Sequence, residues 1–419
     1  MSRELKDSGI KWIGQIPSDW NCCKQKYEIQ LLNGRAYKDS EFEENGKYRV
    51  LRVGNLFTNP TWYTSSLELE PEKYCCNGDL LYAWSMSYAP FIWSGDKVIF
   101  HYHIWKAILS NNIDKKFAFY YLSTITEALK AEIHETTMGF ITMGIMNNSY
   151  IVFPELHEQR QIASFLDRKC SAIDTAIEKT KKSIEKLEEY KKAVITKAVT
   201  KGLDPDTMMK DSGVEWIGEV PEMWGVKQLR KFYSRRLNKN KYLQEKNLLS
   251  LSYGNIIRKN IDTKEGLLPE SFDGYNIVEA DDIVIRGTDL QNDHRSLRTG
   301  LVKERGIITS AYMTLKPKAG VNSEYYHYLL HCYDIEKVFY SMGGGLRQSL
   351  DYWDFVRTYV LVPSEQEQTD IVNYIHKKCA SVDSLIAKKQ EAINKWEEYK
   401  KSLIYYAVTG KIDCRNEVV

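Results

Sequence analysis

The sequence predicts a mixed α/β (α+β) fold built in two cycles. Two unlike insert domains are joined by two long antiparallel coiled-coil helices, related by an internal pseudo-twofold repeat. Three observations predict it. The stretch from Lys6 to Trp20 returns from Lys210 to Trp224, displaced by 204 residues with nine of fifteen positions identical. A charged tract opening at Pro154 returns at Pro363, displaced by 209 residues, and its 47 columns share 20 identities. Between these copies lie two segments of about 130 residues with little likeness to each other. A repeated frame around two different inserts implies one scaffold presenting two readers. The order is a first box (1–20), a first insert (21–153) and a first long helix (154–202). A linker with the second box (203–224), a second insert (225–362), a second long helix (363–413) and a short tail (414–419) follow.

The helices follow from spacing. Residues 157 to about 199 contain no Gly or Pro. Leu166, Cys170, Ile173, Ile177, Thr180, Ile184, Leu187, Lys191, Val194 and Ala198 recur at 4-3 intervals. Ile375, Cys379, Val382, Ile386, Lys389, Ile393, Trp396, Lys400, Leu403 and Ala407 repeat that register. Such a stripe with alternating charges on the other faces is a coiled-coil helix. About 40 residues of helix span roughly 60 Å, too long for one globule, so each copy is the expected partner of the other. Polar residues interrupt the seam at Thr180/Lys389 and Lys191/Lys400. They either fix register or mark where another protein packs. Tyr190, Lys191, Tyr399 and Lys400 are the candidate partner-docking residues.

Each insert alternates strand-like runs with one Tyr-rich helix. The runs are Tyr48–Leu56, Leu80–Trp84 and Lys97–Leu109 in the first, then Asn247–Tyr253, Asp282–Ile285 and Ile307–Leu315 in the second. The helices are expected over Phe117–Ile133 and Tyr325–Tyr340. Gly-rich punctuation follows at 138–144 and 342–349, and a last strand leads into Pro154 or Pro363.

Composition narrows the function. Formal charge is only +2, so global charge announces no polyanion partner. The inserts differ, however: residues 21–153 carry 13 Lys and Arg against 14 Asp and Glu, residues 225–362 carry 21 against 16. The basic cluster Arg230, Lys231, Arg235, Arg236, Lys239 and Lys241 opens the second insert, suited to phosphates or to a solvated face. No apolar run reaches membrane-spanning length and the first residues resemble no signal peptide, so the expected location is the cytoplasm. Eight cysteines include two adjacent pairs, which match neither zinc spacing nor a disulfide framework.

No catalytic pattern stands out. There is no phosphate-binding Walker loop, and Gly343-Gly344-Gly345 lacks the following Lys-Ser/Thr. Asn59-Pro60-Thr61-Trp62 only superficially resembles the Asn-Pro-Pro-Tyr of amino-methyltransferases. His327 and His331 sit four apart on the expected second helix without an acidic third ligand. His101 and His103 alternate along an expected strand. What remains is recognition chemistry, side chains that read base edges and grip phosphates. In the first insert the candidates are Arg49, Arg52, Asn55, Trp84, Ser85, Tyr88, Tyr102 and His103. In the second they are Arg258, Arg286, Asp289, Asn292, Arg295, Arg298, Arg347, Gln348 and Ser349.

These residues and their frame resemble the specificity subunit of type I restriction-modification systems. The resemblance is carried by Trp12-Ile13-Gly14-x-Ile16-Pro17 and Trp216-Ile217-Gly218-x-Val220-Pro221. It is carried also by Pro154-Glu155-Leu156-His157-Glu158-Gln159 and Pro363-Ser364-Glu365-Gln366-Glu367-Gln368, and by the acidic turns Gly78-Asp79-Leu80-Leu81 and Asp281-Asp282-Ile283-Val284. It covers nearly the whole chain. It implies two target recognition domains, each reading half of a split double-stranded DNA sequence, and helices that dock two methyltransferase subunits. Restriction subunits with ATP-driven translocase and nuclease activity would join them. It implies no catalysis and no cofactor in this chain; S-adenosylmethionine, ATP and Mg2+ would belong to the partners. One departure matters: the second insert has Gly345-Leu346-Arg347-Gln348-Ser349 where the first has Gly139-Phe140-Ile141-Thr142-Met143. If that loop reads DNA, the halves read differently. Three other readings remain open: the specificity chain of a type II system that cuts on both sides of its site, a stand-alone DNA-binding regulator, and an enzyme with an unrecognised site.

Overall fold

The computed structural model describes residues 3–57, 59–85, 87–134, 140–262, 271–288, 290, 297–342 and 349–415. The chain divides into two compact units, residues 1–181 with 390–419, and residues 182–389. Each unit therefore combines a box, an insert and a half of each long helix.

In the first unit eight of the insert's strands among the described residues build two sheets. They are β1 (Ile29–Asn33), β2 (Tyr48–Leu51), β3 (Tyr63–Ser65), β4 (Tyr74–Cys75), β5 (Leu80–Ala83), β6 (Ala89–Ile92), β7 (Val98–Phe100) and β8 (Ile104–Leu109). They form two four-stranded sheets ordered β1-β8-β5-β6 and β3-β2-β7-β4. The helix α1 (Lys115–His134) follows, and the long helix α2 (Leu156–Lys201) begins after a strand that pairs Tyr150–Phe153 with Asn21–Lys24.

The second insert repeats this plan. Its strands are β9 (Tyr233–Arg235), β10 (Leu248–Ser252), β11 (Asn255–Lys259), β12 (Asn276–Val278), β13 (Ile283–Ile285), β14 (Thr299–Leu301), β15 (Gly306–Ile308) and β16 (Met313–Pro317). The sheets run β9-β16-β13-β14 and β11-β10-β15-β12, the same order with every label advanced by eight. Both have one parallel pair at the same place, β2 with β7 and β10 with β15. The helix α3 (Ser323–Ile335) and the long helix α4 (Glu365–Val408) complete the cycle. Two sequences with little likeness thus reach one topology. The pattern that specifies it is burial: Val50, Tyr74 and Ile99 form a cluster in the first unit, Leu248, Ile277 and Ile307 its counterpart in the second.

Three expected runs resolve differently. The run from Tyr48 stops as a strand at Leu51 and becomes a five-residue helix, Val53–Phe57, because Asn55 Oδ1 accepts from the Arg52 amide and bends the chain. The runs Lys97–Leu109 and Ile307–Leu315 are each two strands separated by a turn. The expected helix over Tyr325–Tyr340 ends at Ile335, with a 3-10 turn at Val338–Ser341 beyond it.

The acidic turns open the core strands β5 and β13. Gly78 has φ +87° and its counterpart Asp281 has φ +68°, a left-handed position that favours glycine and tolerates aspartate. The next carboxylate is held in each copy, Asp79 by Lys106 at 2.7 Å and the fully buried Asp282 by Arg236.

The ends of the long helices are built from repeated residues. Gln159 is fully buried; its Nε2 donates to Pro154 O at 2.8 Å and Asn112 O at 2.7 Å. Gln368, 209 residues later, donates to Pro363 O at 3.0 Å. Gly202 and Gly410 stand just past the other ends with φ +76° and +72°, where a left-handed residue stops a helix and satisfies its last carbonyls. In the first unit the box holds the start of α2, through Arg3 to Glu158 at 2.5 Å, and the end of α4, through Tyr405 Oη donating to Trp12 O at 2.9 Å. Asp174 meets Lys400 at 2.7 Å farther along, so the two helices run antiparallel. In the second unit Trp224 Nε1 donates to Glu367 at 2.9 Å and Lys191 meets Asp383 at 2.7 Å, giving the same arrangement.

Candidate nucleic-acid interface

The first unit gathers several candidates at one turn. Residues 101–103 connect β7 to β8, so His101 and His103 flank a turn instead of alternating along one strand; their ring centroids are 4.8 Å apart. Trp84, at the end of β5, pins this turn. Its indole N–H donates to Tyr102 O at 2.7 Å and its amide to His103 O at 3.1 Å. The indole stacks on Trp105 at 5.7 Å, which stacks on the buried Tyr82 at 5.5 Å. Tyr102 lies 4.0 Å from the His103 ring and is 38% exposed. Burial pushes His101 down to about 4, assisted by His103 and Arg52; burial and Arg52 likewise lower His103. Both rings are therefore neutral at neutral pH, each with one donor and one acceptor nitrogen.

Arg52 and Arg35 flank the turn, and Arg49 stands on β2 nearby in sequence. Arg52 lies 4.9 Å over Tyr63, and Arg49 lies 5.6 Å over Trp62. Arg35, over Tyr37 at 5.2 Å, is held by Glu41. Asn55 is turned inward, its Nδ2 donating to Asn59 O and Thr61 O. Ser85 O accepts from the Ser87 amide, and Tyr88 lines a separate cavity of about 500 Å3 with Trp12, Glu127, Lys401 and Tyr405.

In the second unit Arg286 follows β13, and in register from the acidic turns Gly287 stands where Trp84 does in the first. The backbone there is close-packed: Leu350 N donates to Gly287 O at 2.8 Å, which brings Ser349 beside the Arg286 loop. A Cβ on Gly287 would meet Leu350 O at 2.5 Å, so only glycine fits. Arg235 lies 5.4 Å over Tyr352. Arg258 stands on β11, in an ion pair with Glu304. Asp289, Asn292, Arg295, Arg347 and Gln348 lie outside the described residues. Arg298 corrects an expectation. It is 1% exposed, and its guanidinium donates to Thr288 O at 2.7 Å and Arg286 O at 3.3 Å. Buried and turned onto carbonyls, it supports the loop base and does not face a nucleic acid.

On the long helices, Tyr190 and Tyr399 are about half exposed, while Lys191 and Lys400 are engaged by Asp383 and Asp174. Among the described residues no group of three or more His, Cys, Asp or Glu is arranged to hold a metal, and no helix is long and apolar enough to cross a membrane.

Comparison with known proteins shows what the chain is similar to. Residues 17–189 match the model of the type I restriction modification DNA specificity domain. The type I restriction enzyme MjaVIII specificity subunit of Methanocaldococcus jannaschii is 26% identical over 96% of this chain and 95% of its own. The chain is similar to the specificity subunits of type I restriction-modification systems. The EcoBI specificity subunit of Escherichia coli is 22% identical over 99% of this chain and 90% of its own. A solved chain from work on complex assembly and conformational transition of the type I R-M system shares the fold. Its TM-score is 0.67 at 14% identity, covering 95% of this chain and 99% of that one.

In a chain with a repeated frame the informative side chains are those that differ between equivalent loops. Sequence reasoning found Trp84, Tyr102 and His103 as members of a list. It did not single out Tyr63 or Tyr37, nor that Arg52 and the imidazoles share one surface. Lone aromatics in short strands carry no local signal; only the sheet order brings 52, 63, 84 and 102 together.

Proposed function

We propose that this chain reads a bipartite double-stranded DNA target, one half with each unit, and carries that reading to the methylating and cleaving subunits of a type I restriction-modification assembly. One observation carries the proposal: two units with one strand order present different chemistry at equivalent loops on a repeated helical frame. A single reader would have no reason to double its frame while varying only what the frame holds. The relatives that match this chain nearly end to end are named as specificity subunits, which supports the same reading.

The chemistry comes in trans. The chain offers recognition side chains, and the bases are read without a bond being made or broken by it. S-adenosylmethionine, ATP and Mg2+ serve the partner subunits, two methyltransferase subunits docking along the long helices through Tyr190, Tyr399 and their neighbours, and restriction subunits joining them. The whole assembly works in the cytoplasm, where the DNA is.

Insert exchange tests this. Replacing residues 225–362 with the second insert of another family member, then sequencing the positions methylated by the assembled complex, is expected to change one half of the target and leave the other intact. Changes in both halves, or in neither, defeat the two-reader scheme. The purified chain alone, assayed in parallel, is expected neither to methylate nor to cut.

A further inference from the structure

The first unit carries too few cations on its exposed turn to work as a phosphate clamp. Of the side chains gathered there among the described residues, Trp84, Tyr102, His103 and Tyr63 are uncharged or neutral, Arg35 is paired with Glu41, and Arg52 is the cation beside the imidazoles, with Arg49 over Trp62 on the same strand run. The Arg49 and Arg52 guanidinium groups lie over aromatic rings, at 5.6 and 4.9 Å from the ring centres. The insert as a whole balances 13 basic against 14 acidic residues. Binding led by the phosphate backbone needs a net excess of Lys and Arg, because its free energy comes from released counterions. Base edges ask for something else, donors and acceptors held at fixed positions.

Resting on the DNA-reading assignment above, we propose that the 101–103 turn, backed by Trp84 and flanked by Arg52, is the base-reading element of the first unit. It contacts base edges and apolar faces, not phosphates. Three features of the geometry support this. The turn is rigid: two hydrogen bonds from Trp84 fix its carbonyls, and the Trp84–Trp105–Tyr82 stack anchors it to the buried sheet. A preorganised element spends less ordering entropy on binding, so its contacts convert to discrimination. The exposed part, Tyr102 and His103, presents a hydroxyl, an imidazole with one donor and one acceptor, and two ring faces; His101 sits behind, stacked on Tyr37 at 6.4 Å. Finally, the second unit fills the same topological place with other chemistry: in register from the acidic turns Gly287 stands where Trp84 does, and the turn before β16 is Thr309-Ser310-Ala311-Tyr312, without imidazoles. Equivalent turns that carry different side chains are where two readers of different sequences would differ. A metal site is a poorer use of the two imidazoles, since no third ligand joins them among the described residues.

The test uses the full chain in its assembled complex and a pool of randomised double-stranded DNA, with the bound fraction sequenced. Wild type, Tyr102→Ala, His103→Ala and Tyr102→Phe are compared, and affinity for the selected duplex is measured against salt. In the alanine variants, discrimination is expected to fall about tenfold at one or two base pairs of one half-site. The other half-site keeps its sequence, which also shows that the variant has folded and assembled. The salt slope stays as in wild type, and Tyr102→Phe retains the part due to stacking. Uniform weakening with a flatter slope would make the turn a phosphate contact and overturn the proposal. So would unchanged selection in both alanine variants. If wild type itself selects no bipartite sequence, it is the DNA-reading assignment that fails, and this inference with it.

Discussion

His327 sits inside the second unit on α3, its Nε2 buried with no hydrogen-bond partner. Burial first, then the charge of nearby His331, lowers it to about 3, against about 6.5 for a free imidazole. The folded unit therefore holds a neutral ring that the unfolded chain would protonate below about pH 6.5. Because the unfolded state binds the extra proton, stability is fully present above that pH and is lost progressively as pH falls toward 3. His327→Leu removes the proton uptake, so its denaturation midpoint should fall less than that of wild type between pH 7 and pH 5. Parallel pH profiles for the two proteins would assign the acid sensitivity to other groups. The same residue shows what sequence could and could not tell. The i, i+4 pair His327 and His331 and its place on a Tyr-rich packing face were legible, but not which ring nitrogen is left without a hydrogen bond, because that depends on what packs against α3. Arg298 is the converse: Arg beside a polar loop resembles a DNA contact, and only the tertiary structure shows its guanidinium spent on Arg286 O and Thr288 O.

At the scale of elements the long helices were the most legible part of the chain. Four heptads free of Gly and Pro define a helix and its buried stripe without any knowledge of neighbours. The polar stripe positions Lys191 and Lys400 acquire partners that the sequence also repeats, Asp383 and Asp174. Both members of each pair recur at the same 209-residue displacement, so one interaction is written twice. With the lysines about 30% and the aspartates more than half exposed, each pair contributes only about 0.2–1 kcal/mol and acts mainly on register. Lys400→Asp alone places two carboxylates together and should destabilise by a comparable amount; adding Asp174→Lys should recover it. A double-mutant cycle by denaturant unfolding measures this, and a coupling energy of zero would leave the register to the apolar stripe alone. The strands were less legible. Val98–Phe100 and Ile104–Leu109 read as one run because His101 and Tyr102 are not turn formers by composition; Trp84, distant in sequence, is what holds that turn.

The whole molecule is a frame written twice, and α2 is continuous from the first unit into the second across Lys181 and Lys182. The spacing of the two half-sites should then depend on the length of helix between the readers, not on the readers themselves. Four residues inserted near Lys182 add about one helical turn, roughly 6 Å. They shift the apolar stripe only slightly, so the seam survives. Duplex DNA rises roughly 3.4 Å per base pair, which limits the gain to about two base pairs, fewer where α4 restrains the pair. Neither insert is touched, so the bases read in each half should stay as they were. Sequencing the sites methylated by the assembled variant gives the answer directly: a wider spacer between unchanged half-sites is the expected result. An unchanged spacer with full activity would mean that the helices do not set the distance. Altered bases in either half would give the helices themselves a part in reading DNA.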